Sequence, residues 1–307
     1  MSSEVFFAQR RATQGGGLLD KLEQLCDAAG FSRLAGAGEL VAVKIAFGEP
    51  GNTTILRPQY AQRVVRKLLQ YGGRPFLTDT LPLPPSKRAT AVDALVAAAR
   101  HGYDGLEAPL VPADGLLGHD AVRATGAEPL AEVELAAAIA QADTLVGLNH
   151  FTGHEASGFA GALWNLGFGA AALATKRAIL GDEPGKGHAA LQARLVEAAA
   201  AIAQQKSQRW GFVNLLVDLT PETDDQGYSD AAVVPDIGVL ASRDPVALDQ
   251  ASVDLFNQTA GIPGTRLGDP LSRDKLHELY PHVDWEIQLR VAEARGVGSR
   301  DYELMII

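Results

Sequence analysis

The chain has one cysteine, Cys26, in 307 residues. A single thiol excludes an intramolecular disulfide, an all-cysteine zinc site and an iron–sulfur cluster carried by this chain alone. A basic surplus is also missing: 27 lysines and arginines face 37 aspartates and glutamates, a formal net charge of −10, with no basic stripe along the chain. Nucleic acid and anionic membrane surfaces are therefore not expected partners. The opening residues, MSSEVFFAQRRATQGGG, hold only a short apolar patch between charges, so no signal peptide is read there and a cytoplasmic address is expected. The longest uncharged stretch, residues 156–175, is broken by Gly158, Gly161, Asn165, Gly167 and Gly169 and reads as buried loop and helix rather than a membrane span. Solenoid repeats, low-complexity tracts beyond an alanine bias, a glycine-lysine-serine/threonine phosphate loop and a G-x-G-x-x-G after a strand are absent too, so nicotinamide and flavin are not expected cofactors.

What is there is a globular composition, 47% hydrophobic and 21% charged, enough for one large domain or two ordinary ones. Residues 40–47 (LVAVKIAF) form a short, partly β-branched apolar run ending in Gly48, the pattern of a buried strand. Residues 58–70 then show helical spacing through Tyr60, Val64, Val65, Leu68 and Leu69, with Pro58 in the first turn and Gly72 and Gly73 as a stop. The cycle repeats: strand 75–80, helix 87–101, strand 109–113, helix 131–142, strand 144–149. After an exposed connection at 181–188 come helix 189–205, strand 212–219, strand 233–241 and helix 245–259, the last with Asp244 placed to cap it, then helix 285–294 and a terminal apolar strand. The expectation is an α/β fold, a mainly parallel sheet flanked by helices, with two βα-type halves in one composite domain. Its segments are an N-terminal extension (1–39), a first half with the site loops (40–180), a second half (181–260) and a C-terminal loop, helix and strand (261–307).

Parallel α/β sheets bind ligands outside the carboxyl ends of their strands, so the residues just after each strand carry the functional information. After the first strand, Gly48-Glu49-Pro50-Gly51-Asn52-Thr53-Thr54 offers backbone amides and hydroxyls to an anionic group, or is simply a turn. After the second, Asp79 is a metal ligand, a general base or a turn aspartate. Asp114 follows the third strand in DGLLGHD, a weak signal because Asp-Gly is mostly a turn. The sharpest constellation is Asn149-His150-Phe151-Thr152-Gly153-His154-Glu155, where two of the seven histidines and a glutamate fall within six residues. Imidazole and carboxylate together suit a divalent metal or acid–base chemistry, although Gly153 makes this stretch a loop rather than a regular helix. The fifth place is an acidic loop with Asp218, Glu222, Asp224, Asp225 and Asp230, a solvated loop or part of the site.

Together these stretches resemble the family catalogued as domain of unknown function 362. The matching text is VKIAFGEPGNTTILRP (43–58), PFLTDT (75–80), ADGLLG (113–118), NHFTGHEASGFAGALWNLGFG (149–169) and VPDIGVLASRDPVALDQASVD (234–254), so the resemblance covers roughly residues 40–260. It implies relatives with iron–sulfur cysteines, in an inserted ferredoxin-like segment and in the body of the domain. Here the insert would fall near 181–188, where the chain runs straight on, and the family's cysteine positions correspond to Ala170, Thr223 and Asp225. A histidine of the first strand motif corresponds to Ala46, and two family lysines to Thr152 and Trp164. Lys44, Asp79, Asp114, His150, His154, Glu155, Asn165, Asp236 and Asp244 are retained.

The expected function is a biosynthetic enzyme of lyase, isomerase or transferase type that acts on a small anionic substrate, a carboxylate or phosphate, without cluster chemistry. His150, His154, Asp79 and Lys44 are the catalytic candidates. Asn52, Thr53, Thr54, Asn165 and Asp114 are the substrate-binding candidates. His150, His154 and Glu155 are the candidate ligands of one divalent metal ion. A homo-oligomer is compatible with this reading. The alternative is a non-catalytic binding or assembly protein derived from an iron–sulfur redox family.

Overall fold

Eight strands line up in the order β12-β1-β11-β10-β7-β2-β3-β4 in the computed structural model, which describes residues 2–181, 187–207 and 209–307. In chain order the elements are β1 (Ser3–Gln9), α1 (Leu18–Ala28), β2 (Leu40–Lys44), α2 (Pro58–Gln70), β3 (Arg74–Asp79), α3 (Ala91–Arg100) and β4 (Leu110–Pro112). There follow β5 (Ala121–Ala127), β6 (Leu130–Ala136), α4 (Ala137–Gln141), β7 (Thr144–His150), β8 (Thr152–His154), β9 (Gly158–Ala160), α5 (Ala162–Gly167) and α6 (Leu173–Leu180). The chain closes with α7 (His188–Lys206), β10 (Trp210–Leu216), β11 (Gly238–Ser242), α8 (Pro245–Gln258), α9 (Lys275–Leu279), α10 (Glu286–Ala294) and β12 (Tyr302–Ile306). The connection expected at 181–188 falls mainly on 182–186, outside the described residues.

Among the described residues β11 alone runs against its sheet neighbours; the pairs from β10 to β4 are parallel, as is β1 with β12. The fold is thus the expected mainly parallel sheet between helices. Alternate residues of each strand enter two different cores: Val41, Val43, Val146, Leu148, Val213 and Leu215 on one face, Ala42, Leu145, Phe212 and Leu216 on the other. Burial on both faces is why these strands read as continuous apolar runs. Residues 3–9, read as part of an extension, form β1 between β12 and β11, so the N-terminal segment belongs to the sheet.

Helix α2 begins at Pro58 and ends at Gln70, and buries Tyr60, Ala61, Val64, Val65 and Leu68 on one stripe. Each such aliphatic side chain contributes roughly 1.5–3 kcal/mol when fully buried. Asp244 caps α8 through Val246 N (2.9 Å) and Ala247 N (3.0 Å). One expectation fails: residues 131–142 are the second strand of the β5–β6 hairpin and the short α4, not one helix. Alanine and glutamate suggest helix by propensity, but Val133 and Leu135 alternate into the core, and pairing with β5 outweighs propensity.

Candidate functional site

The carboxyl ends of β2, β3, β4, β7 and β10 lie along one edge of the sheet, and the retained polar residues collect there. Asp79, at the end of β3, receives four donors. Lys44 Nζ (3.0 Å) and Thr80 N (2.9 Å) reach Oδ1, while Phe47 N (2.9 Å) and Arg88 Nη1 (3.0 Å) reach Oδ2. Burial alone would raise its pKa, but Lys44, Arg88 and Lys176 outweigh burial and hold the carboxyl below its usual range. Arg88 is 1% exposed and spreads its fork over three carboxylates: Glu49 at 3.2 Å, Asp79 at 3.0 Å and Asp225 at 2.6 Å. Lys176 donates to Thr80 Oγ1 (2.6 Å) and Leu81 O (2.7 Å), and burial brings its pKa down to about 8. Asp114 accepts from Leu81 N, and burial pushes its carboxyl up to about 6. Neither Arg88 nor Lys176 was singled out in the sequence. Each belongs to a lysine–arginine pair, Lys87-Arg88 in a loop and Lys176-Arg177 on a helix, and no spacing marks it.

Lys44 also donates to Asn165 Oδ1 (3.0 Å), and Asn165 Nδ2 donates to Asn149 Oδ1 (2.7 Å). Asn165, placed among the substrate-binding candidates, is therefore engaged on both sides by protein. The loop candidates are engaged as well. Asn52 Nδ2 faces the carbonyls of Thr223, Gln226 and Tyr228 at 3.1–3.4 Å, and its Oδ1 accepts from Thr54 N (2.8 Å) and Thr54 Oγ1 (3.1 Å). Thr53 Oγ1 lies 3.4 Å from Ser229 Oγ. These residues fasten the 48–54 turn to the acidic loop after β10. Gly51, at φ 111°, makes the approach possible, since a Cβ there would stand 2.5 Å from Gly227 O.

The two histidines part company. His150 points into the α1–α2 side of the sheet, with Nδ1 2.7 Å from Asp224 Oδ1 and Nε2 donating to Val217 O at 2.8 Å. Burial disfavours its charge, but Asp224 and the Val217 carbonyl prevail and raise its pKa, so the protonated ring is favoured beside Asp224. His154, on the short β8–β9 hairpin, uses Nδ1 to accept from Ala156 N (3.3 Å) and Ser157 N (3.2 Å). Those amides favour the neutral tautomer with hydrogen on Nε2, Ser157 Oγ also lies 2.9 Å from Nδ1, and burial lowers the pKa to about 4. Its ring packs against Trp164, centroids 4.0 Å apart and planes tilted by 44°.

The expected metal site of His150, His154 and Glu155 is therefore corrected. Both His150 nitrogens are bonded within the protein, Nδ1 of His154 receives backbone amides, and no cluster of three His, Cys, Asp or Glu side chains among the described residues is arranged to hold a metal ion. An iron–sulfur cluster does not fit either. Cys26 is buried beneath α2, and the acidic side chains at 224 and 225 are engaged by His150 and Arg88.

At this edge a cleft of about 150 Å³ opens to solvent between the hairpin and the acidic loop, lined by His154, Glu155, Glu222, Tyr228, Arg266 and Tyr280 among others. Arg266 Nη1 donates to Glu222 Oε1 (2.9 Å), and its guanidinium lies over the Tyr280 ring at 5.8 Å. Gly153 lets the hairpin come this close, because a Cβ would meet Tyr280 Oη at 2.5 Å and Pro221 O at 2.9 Å. The buried cluster of Lys44, Asp79 and Arg88 supports this cleft from below by anchoring the acidic loop through Asp225. Arg266 and Tyr280 were missed in the sequence because they come from the C-terminal segment, far from any strand-end motif.

Among the described residues no helix is long and apolar enough to cross a membrane. A family profile described as a domain of unknown function, number 362, matches residues 41–254. No curated protein matches the chain. Among solved structures, the chain is similar to the lactate racemase apoprotein from Thermoanaerobacterium thermosaccharolyticum, at 13% identity and a TM-score of 0.42, over 70% of this chain and 51% of that one. It is similar to a Thermotoga maritima protein at 11% identity and a TM-score of 0.46, over 76% of this chain and 57% of that one. The chain thus spans little more than half the length of either, and likeness at this level carries nothing about chemistry.

Proposed function

The chain belongs to the family of domain of unknown function 362, and we propose that it is an enzyme acting on a small carboxylate-bearing metabolite in the cleft beside His154. One observation carries the reading: His154 accepts two backbone amides at Nδ1 and lines an open cleft that Arg266 also lines. A neutral Nε2–H is a hydrogen-bond donor, suited to polarise a substrate carbonyl or carboxylate oxygen. The guanidinium of Arg266 holds the carboxylate, and Glu155, exposed on the rim, accepts a proton. The chemistry is proton transfer at the carbon beside the carboxylate, an isomerase or lyase type of step. Lys44, Asp79, Arg88 and His150 act as positioning residues, since their polar atoms are bonded to protein. The setting is cytoplasmic metabolism, with neither nucleic acid nor membrane as partner.

The second reading, a binding or assembly protein, is favoured by the same saturation of Lys44, Asp79 and His150. Proton NMR in D2O separates the two. An enzyme of this type exchanges the α-hydrogen of at least one compound in a panel of small carboxylates, and His154→Gln abolishes the exchange. Compounds that bind without exchange support the binding reading.

A further inference from the structure

We infer that the ligand of the His154 cleft is a zwitterion, with an ammonium and a carboxylate on neighbouring carbons or on one carbon, the chemistry of an α-amino acid. The inference rests on the cleft being the ligand site and adds the substrate class. The charged side chains lining the cleft are two carboxylates, Glu155 and Glu222, and one guanidinium, Arg266. His154 adds no charge, because its Nδ1 takes amide hydrogens. A purely anionic ligand would have to sit against the surplus carboxylate of the cleft wall. A purely cationic ligand would lie beside Arg266 and give no carboxylate to the guanidinium N–H groups that the Glu222 bond does not use. A molecule carrying both charges satisfies both sides.

The individual groups divide the work. Glu222 is committed: Oε1 accepts from Arg266 and Oε2 from Asp230 N (3.0 Å). Its side chain is 11% exposed. Glu155 is exposed and has two carboxylate oxygens, so one meets an ammonium while the other takes the proton. Arg266, its side chain 46% exposed, bonds Glu222 through Nη1, and a guanidinium has five donors, so its remaining N–H groups can take a carboxylate. Tyr280 lies under the guanidinium and steadies its plane, and the exposed Tyr228 offers a ring face on which an ammonium is attracted. Room is limited. The cleft, about 150 Å³, suits a compact molecule of amino-acid size.

The test follows the ring signals of His154 by NMR in the full chain, assigned with His154→Gln, during titration with three probe sets. These are L-alanine, L-serine, L-aspartate and L-glutamate; the α-hydroxy acids of the same skeletons, with orthophosphate; and amines lacking the carboxylate, ethylamine and ethanolamine. At least one amino acid should shift the ring saturably and bind at least tenfold more tightly than its hydroxy-acid counterpart. Glu155→Gln should narrow that preference at least fivefold without weakening the hydroxy acid. Equal or tighter binding of the hydroxy acids or phosphate, with His154 shifted, overturns the zwitterion and leaves the cleft as the ligand site. If no probe moves His154, the zwitterion and the site both fall.

Discussion

Asn149 and Asn214 stand directly opposite each other in the β7–β10 pair, and Asn149 Nδ2 donates to Asn214 Oδ1 at 2.9 Å in the buried interior. The bond is the middle of a polar line. It continues through Asn165 to Lys44 and Asp79 on one side, and through Asn214 Nδ2 to Asp249 Oδ1 (2.8 Å) on the other. Asp249 in turn accepts from Ala162 N and Leu163 N, both at 2.8 Å, and so fixes the start of α5, which bears Trp164 and Asn165. Removing either asparagine strands a buried amide partner. Asn149→Leu and Asn214→Leu should each cost about 1–3 kcal/mol, and the double variant should cost less than their sum, read from urea unfolding as a double-mutant cycle.

Arg88 neutralises two buried carboxylates, Asp79 and Glu49, and reaches the more exposed Asp225. Arg88→Met should lower stability by about 3–5 kcal/mol by leaving buried charge unpaired. Adding Asp79→Asn to that variant should restore part of the loss, as measured by thermal unfolding. A loss confined to ~0.5 kcal/mol would mean that the three contacts are not made in solution.

The two histidines predict opposite responses to pH. The folded pKa of His150 lies above its unfolded value, so its pairing with Asp224 stabilises fully below about pH 6.5 and fades as pH rises through the folded value. The groups acting on it are Asp224, Asp218 and the Val217 carbonyl. The stability difference between the native chain and His150→Gln should therefore be larger at pH 6 than at pH 9. His154 is lowered from 6.5 to about 4, so the fold resists its protonation and loses stability as pH falls through that window. His154→Gln should remove that loss, on the order of 1–3 kcal/mol, in denaturant midpoints compared at pH 7 and pH 4.5.

Gly153 sets the width of the cleft. Gly153→Ala brings a methyl against the Tyr280 hydroxyl and the Pro221 carbonyl. It should cost about 1–3 kcal/mol and displace the acidic loop. Binding at His154 should weaken more than tenfold while the far side of the sheet, probed by amide exchange in β1 and β12, stays as it was.

The strongest sequence signals survived in structure because each had a local cause. Helix α2 runs from Pro58 to Gln70 because its apolar stripe and its start signal agree, and Asp244 caps α8 because cap and proline are adjacent. His154 and Glu155 were legible as strand-end residues, and both line the cleft. Less was legible where partners are distant in sequence. Arg88 meets Asp225 across 137 positions, Lys44 meets Asn165 across 121, and Arg266 reaches Glu222 from the C-terminal segment. Spacing carries no information about such meetings, so Lys44, Asp79 and Asn165 looked like groups facing a ligand when Lys44 joins the other two, and Asn52 when it bonds the acidic loop.

The most direct measurement on the central claim is the set of ring nitrogen chemical shifts of His154 between pH 3 and pH 8. The account predicts one neutral tautomer with hydrogen on Nε2, titrating at about 4. A ring that titrates near 6.5, or carries its hydrogen on Nδ1, would contradict it.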